Sequence, residues 1–128
     1  ATLDTKTMDI DDKVMQKIVS ESISGVDGVL GMHGGMMSGI AETLRIGDEE
    51  TRGISTKMKD NTVQVHIKLI SEFGKNIPTM IEQIQHNVEK NIVKMTGYEV
   101  PEVKVEVVDT MTKEEYNEKY NKDKNSVK

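Results

Sequence analysis

The sequence predicts an α+β domain of two layers, with helices packed on one face of a three-stranded sheet in the order helix, strand, strand, helix, strand. Three observations carry that expectation. Two stretches repeat apolar residues with a period of 3.6. Two alternating segments flank a polar turn, the pattern of a hairpin. A last alternating run of valines follows the second helix. Each strand then has one apolar face and each helix one apolar stripe, and stacking both helices on one side of the sheet buries them all. The 128 residues fit one domain and can build a core without disulfides or metals. The expected organisation is a flexible segment over residues 1–9 and a domain over 10–109 containing a glycine-rich loop, 25–53. A polar tail over 110–128, partly helical or disordered, completes it.

Asp11 reads as the N-cap of the first helix, with Ile10 and Met15 at the staple positions around it. Ile10, Val14, Met15, Ile18, Val19, Ser22 and Ile23 keep the helical period over residues 12–24, and Gly25 ends it. Eight of the ten glycines then fall in residues 25–53, the mark of a long loop. Inside it, Val26, Val29 and Leu30 could form a short strand or turn. Met37, Ile40, Ala41 and Leu44 share one face of a possible short helix. Ile54, Thr56 and Met58 alternate with polar residues, Lys59, Asp60 and Asn61 turn, and Val63, Val65, Ile67 and Leu69 alternate again. Gly74 breaks that strand and Pro78 opens a long helix. Ile77, Met80, Ile81, Ile84, Val88, Ile92 and Met95 form its stripe, the strongest periodic signal in the chain, and Gly97 closes it. Val103, Val105 and Val107 face inward on the last strand, with Glu102, Lys104 and Glu106 facing out and Pro101 marking an edge. Thr112 and Glu115 have capping-box spacing before a possible short helix around Tyr116. If the last strand lies beside the first strand of the hairpin, every neighbour is antiparallel, and this is the arrangement expected.

Composition narrows the function. There is no cysteine, which removes disulfide scaffolds, thiolate zinc sites and cysteine nucleophiles. The net charge is −5. Residues 1–52 carry 10 acidic and 5 basic side chains and residues 53–128 carry 12 of each, so the acidity sits in the front of the chain. An acidic chain has no bulk attraction to nucleic acid or anionic lipid, and 3% aromatic residues give little to stack bases on. No apolar run approaches the ~20 residues of a membrane span, and no basic-then-apolar leader precedes the first helix.

The chemical motifs are thin. His33, His66 and His86 fall in the loop, on the outer strand face and on the outer helix face. Met37, Ser38 and Gly39 resemble a nucleophile elbow only by chance, because no strand-to-helix context surrounds them. The loop glycines follow a helix instead of a strand, so no phosphate cradle is expected. Met32, His33, Met36 and Met37 form a soft-ligand cluster that would suit Cu(I). Methionine is abundant throughout, however, and docking of the loop on the sheet is the plainer account. The element order occurs in small RNA-binding domains, and Lys57, His66, Lys68 and Lys104 line the outer sheet face, but Glu102 and Glu106 share it. No catalytic residue, cofactor or metal is therefore assigned. Copper handling and RNA binding stand as the alternatives.

Two segments carry a more specific likeness. One runs Glu72-Phe73-Gly74-Lys75-Asn76-Ile77-Pro78 into the long helix; the other is Met95-Thr96-Gly97-Tyr98-Glu99-Val100. With Gly25-Val26-Asp27-Gly28-Val29, they make the chain resemble the alkaline shock protein family of Gram-positive bacteria, also called general stress or envelope stress response proteins. The likeness covers roughly residues 8–109. It departs at Ser20-Glu21-Ser22-Ile23-Ser24, where alanine and glutamate are usual, and at the methionine-rich Gly34-Gly35-Met36-Met37. The resemblance implies a non-enzymatic, cytoplasmic stress protein of cell-envelope homeostasis that self-associates. It also implies a route to the membrane through a membrane-anchored protein partner, without direct insertion. The surfaces expected to serve such contacts are the open sheet edges, the outer face around His66, Lys68 and Lys104, and the loop face of Met37, Ile40 and Leu44.

Overall fold

The computed structural model describes residues 8–32 and 53–120. Helix α1 spans Asp12–Ile23. Asp11 caps it as expected, its Oδ1 accepting from the Lys13 N–H at 2.8 Å, and Ile10 packs on the core beside it. Strand β1, Val29–Met32, follows the glycine turn. The hairpin is β2, Ile54–Lys59, and β3, Thr62–Glu72. They are antiparallel from Ile54 opposite Ile67 to Lys59 opposite Thr62. Asp60 takes the left-handed conformation at the turn (φ 56°), one that Asp tolerates better than most side chains. Helix α2 spans Ile77–Thr96, and Asn76 caps it through its side chain to the Thr79 N–H. Strand β4 runs Glu99–Met111, and helix α3 runs Lys113–Tyr120.

The expected all-antiparallel pairing is not what the chain adopts. β4 lies beside β3, not beside β2, and runs parallel to it from Thr62 opposite Glu99 to Glu72 opposite Met111. The direction of β4 follows from the connection. α2 has 20 residues and is about 30 Å long at 1.5 Å per residue. That is close to the length of the 11-residue β3 at about 3.3 Å per residue. The helix therefore returns the chain to the start of β3, where β4 can begin alongside. Among the described residues the sheet is also four-stranded. β1 pairs antiparallel with β3 at Leu69–Ser71, beyond the end of β2 and on the same side of β3. β3 is thus the central strand, flanked by β2 and β1 in tandem on one side and by β4 on the other.

The inner face of β3 presents Val63, Val65, Ile67 and Leu69, all at most 2% exposed. Met15, Ile18, Val19 and Ile23 of α1 and Met80, Ile84, Val88 and Ile92 of α2 close over them. Ser22 lies within this apolar period and is 3% exposed, a placement that needs partners. Its Oγ donates to Ile18 O at 2.7 Å and accepts from Asn91 Nδ2 at 2.8 Å. Asn87 Nδ2 donates to Ser22 O at 3.2 Å. The two helices are therefore joined by a satisfied polar seam as well as by packing.

A third layer was not expected. α3 covers one end of the outer sheet face, where Ile70, Met111 and Tyr116 form a second cluster with Leu30 and Tyr120 against it. Its capping box is formed, Glu115 accepting from the Thr112 N–H at 2.9 Å and Thr112 Oγ1 from the Glu115 N–H at 3.1 Å. Helices thus sit on both faces of the sheet at this end. The clue in the sequence is that Leu69 and Ile70 break the alternation of β3: two adjacent apolar residues on a strand require cover on both faces.

Candidate interaction surface

Alternation along β3 and β4 fixes the outer face. Gln64, His66 and Lys68 oppose Glu102, Lys104 and Glu106 in register, and Ser55 and Lys57 of β2 lie across from His66 and Gln64. His66, Lys68 and Lys104, the three residues expected to share a surface, are therefore brought together. The carboxylates come with them. His66 Nε2 sits 3.2 Å from Glu106 Oε1, with both side chains partly open to solvent. Cations and anions are interleaved on this face, which gives it charge pattern and little net field. Of the copper candidates, Met32 lies in β1 and packs against the main core. His33, Met36 and Met37 lie outside the described residues, as do Ile40 and Leu44. His86 is on the exposed side of α2, in a different layer from His66. Among the described residues no three carboxylate or histidine side chains are grouped to hold a metal ion.

The outer face ends at α3. Tyr116 stacks with Tyr120 at a centroid distance of 4.8 Å, and its buried hydroxyl has no hydrogen-bond partner among the described residues. No aromatic was expected on this side of the sheet, and this one is packed in, so it offers no free stacking surface. Burial, with a smaller contribution from Tyr120, pushes the Tyr116 phenol up to about 12. The folded state holds that proton more tightly than the unfolded chain, whose tyrosine titrates near 10. Its contribution is complete below pH 10 and is lost as pH rises toward 12. Spectrophotometric titration should show a tyrosine ionising toward pH 12, with α3 detaching in the same range. A single transition near pH 10 would contradict the packing of Tyr116.

Among the described residues β4 has a second, open edge, because β3 occupies only one side of it. Two irregularities in the β3–β4 register, between Glu99 and Glu102 and between Val107 and Asp109, bracket its regular stretch.

In the inner layer, at the same end of the sheet as α3, a cleft of about 370 Å³ lies between the α1 exit and the start of α2, lined by Gly25, Asp27, Lys75, Asn76 and Gln83 among others. Lys75 Nζ pairs with Asp27 Oδ1 at 3.2 Å across it. Gly28 has φ 102°, and a Cβ there would lie 3.2 Å from Met80 Sδ. Two of the segments that carried the family likeness, 25–29 and 72–78, therefore meet in space, and what they share is close backbone packing.

A family described by its cell envelope-related function matches residues 2–112, nearly the whole chain. The chain belongs to the alkaline shock protein 23 family. Relatives within reach of this family include stress response regulator gls24 homologues of Streptococcus pyogenes serotypes M3 and M1. Each is 35% identical over 106 residues, covering 83% of this chain and 59% of the relative. The Bacillus subtilis protein YqhY is 26% identical over 102 residues, covering 79% of this chain and 74% of its own. The chain thus spans about three fifths of the length of the streptococcal proteins. No solved structure matches it. Among the described residues no helix is long and apolar enough to cross a membrane.

Proposed function

We propose that this member of the alkaline shock protein 23 family is a non-enzymatic stress-response protein of cell-envelope homeostasis. It works as a protein–protein interaction module at the cytoplasmic side of the membrane, bound there to a membrane-anchored protein partner, and it self-associates. The observation that carries this reading is the outer sheet face, where His66, Lys68 and Lys104 alternate with Glu102 and Glu106 beside an open strand edge. Interleaved charge of this kind selects a partner by complementarity more than by raw affinity. An open edge adds backbone pairing, a common mode of peptide recognition. The family's envelope-related description and the regulator names of the streptococcal relatives supply the setting. The acidic residues 1–52 disfavour direct contact with anionic lipid, which favours a protein as the link.

Crosslinking with mass spectrometry in intact cells tests the proposal. Crosslinks from Lys68 or Lys104 to an envelope protein, lost when both lysines are replaced by glutamate, are the expected result. A protein recovered wholly free of the envelope, with no envelope partner, would overturn it.

A further inference from the structure

The open edge of β4 has a self-complementary pattern, and its backbone polarity can be worked out from hydrogen bonds. In a strand, successive residues turn their N–H and C=O groups to alternate edges. The Glu99 N–H donates to Asn61 O at 2.8 Å, so Glu99 turns toward β3. One extra residue on β4 between Glu99 and Glu102 passes that role to the even positions. Val103, Val105 and Val107 therefore turn their backbone groups to the open edge. Gln85 agrees, since from α2 its Nε2 donates to Val103 O at 3.0 Å. The far end agrees as well. The second irregularity adds one residue before Asp109, and Met111 O again faces inward, accepting from the Phe73 N–H at 2.8 Å.

We infer that two copies of this chain pair antiparallel through their β4 edges, about a two-fold axis at Val105, to make one continuous eight-stranded sheet. The choice of centre follows by elimination. Directly opposed residues must lie on the same face, so the axis must pass through a residue. At Lys104 or Glu106 it would set like charges opposite each other, which is unfavourable. At Val103 it would set Pro101, which has no N–H, opposite Val105. At Val105, Lys104 of each copy opposes Glu106 of the other, Val103 opposes Val107, and the two Val105 residues exchange both backbone hydrogen bonds. Gln85 leaves Val103 O able to accept one more, because a carbonyl has two lone pairs. The irregularities on either side limit the pairing to about six residues per chain. Such a contact buries less than the ~1,200 Å² typical of stable complexes, so the dimer is concentration-dependent.

This rests on the self-association in the function proposed above and specifies its interface. Sedimentation equilibrium of the full chain, from about 1 to about 500 µM to span weak association, tests it with three variants. Val105→Pro removes an N–H that faces the open edge and no bond to β3, so it should leave the circular dichroism unchanged and the protein monomeric throughout. Lys104→Glu should weaken dimerisation by about tenfold or more, from two opposed pairs turned repulsive. Lys104→Glu with Glu106→Lys should restore it, a readout that survives even if Val105→Pro fails to fold. A wild-type chain that stays monomeric at the highest concentration overturns the inference. So does assembly indifferent to Val105→Pro or to Lys104→Glu. In the indifferent cases self-association stands and belongs to another surface. Envelope crosslinks from a monomeric protein would leave the interaction module standing without this interface.

Discussion

Replacing Ile84 by alanine should lower the unfolding free energy by about 3–4 kcal/mol, within the usual range for a large aliphatic side chain cut back in a core. Ile84 is fully buried at the middle of the α2 stripe, in the cluster that α1 and β3 complete. The neighbours are strand and helix side chains held by two layers, so they have little freedom to close around a void. Against a total of about 5–15 kcal/mol, that is a large fraction of the stability. Urea titration should show an earlier midpoint with an unchanged slope, while Glu82→Ala, on the exposed side of the same helix, should move it by less than about 0.5 kcal/mol. A small effect at Ile84 would mean that α2 does not pack as described.

Gly28→Ala should cost about 2–3 kcal/mol, for two separable reasons. A φ of 102° is one that side chains other than glycine rarely adopt, and such strain costs about 1–3 kcal/mol. The new methyl would also press on Met80 Sδ at 3.2 Å and Lys75 Cβ at 3.4 Å. Gly25→Ala separates the two. That glycine also has a positive φ, 86°, but nothing among the described residues lies within 4 Å of a Cβ there, so only the strain remains. The thermal midpoint should fall further for Gly28→Ala than for Gly25→Ala. Equal shifts would show that Met80 moves aside freely. Gly28 O also accepts from the Glu72 N–H at 2.7 Å, so a shift here loosens β1 from the end of β3.

What was legible in the sequence was local. The Asp11 cap, the hairpin and its turn, the α2 stripe from Met80 to Ile92 (Ile77 and Met95, expected in it, are exposed), and the capping box at Thr112 are each written within a few residues of one another. Three bodies of apolar residues then had to pack, and the two-layer core followed. The side of β3 that β4 chooses was not legible, because valine alternation is the same in parallel and antiparallel neighbours. The two register irregularities were hidden for a related reason: an extra residue in an edge strand leaves its composition unchanged. The outer face was read correctly at His66, Lys68 and Lys104, where alternation is clean. It gave no sign of the cover over Ile70, because Met111 and Tyr116 follow about forty residues later and only the fold joins them to it.

The central place of β3 has a consequence for the order in which the molecule can be made. Its second edge is filled by residues that follow α2, so a growing polypeptide that has reached Gly97 has an open apolar strand and no means of closing it. The hairpin and the helices depend on contacts near in sequence and can form early. The parallel pairing must wait until β4 has left the ribosome, and until then β3 is the segment most open to mispairing during synthesis.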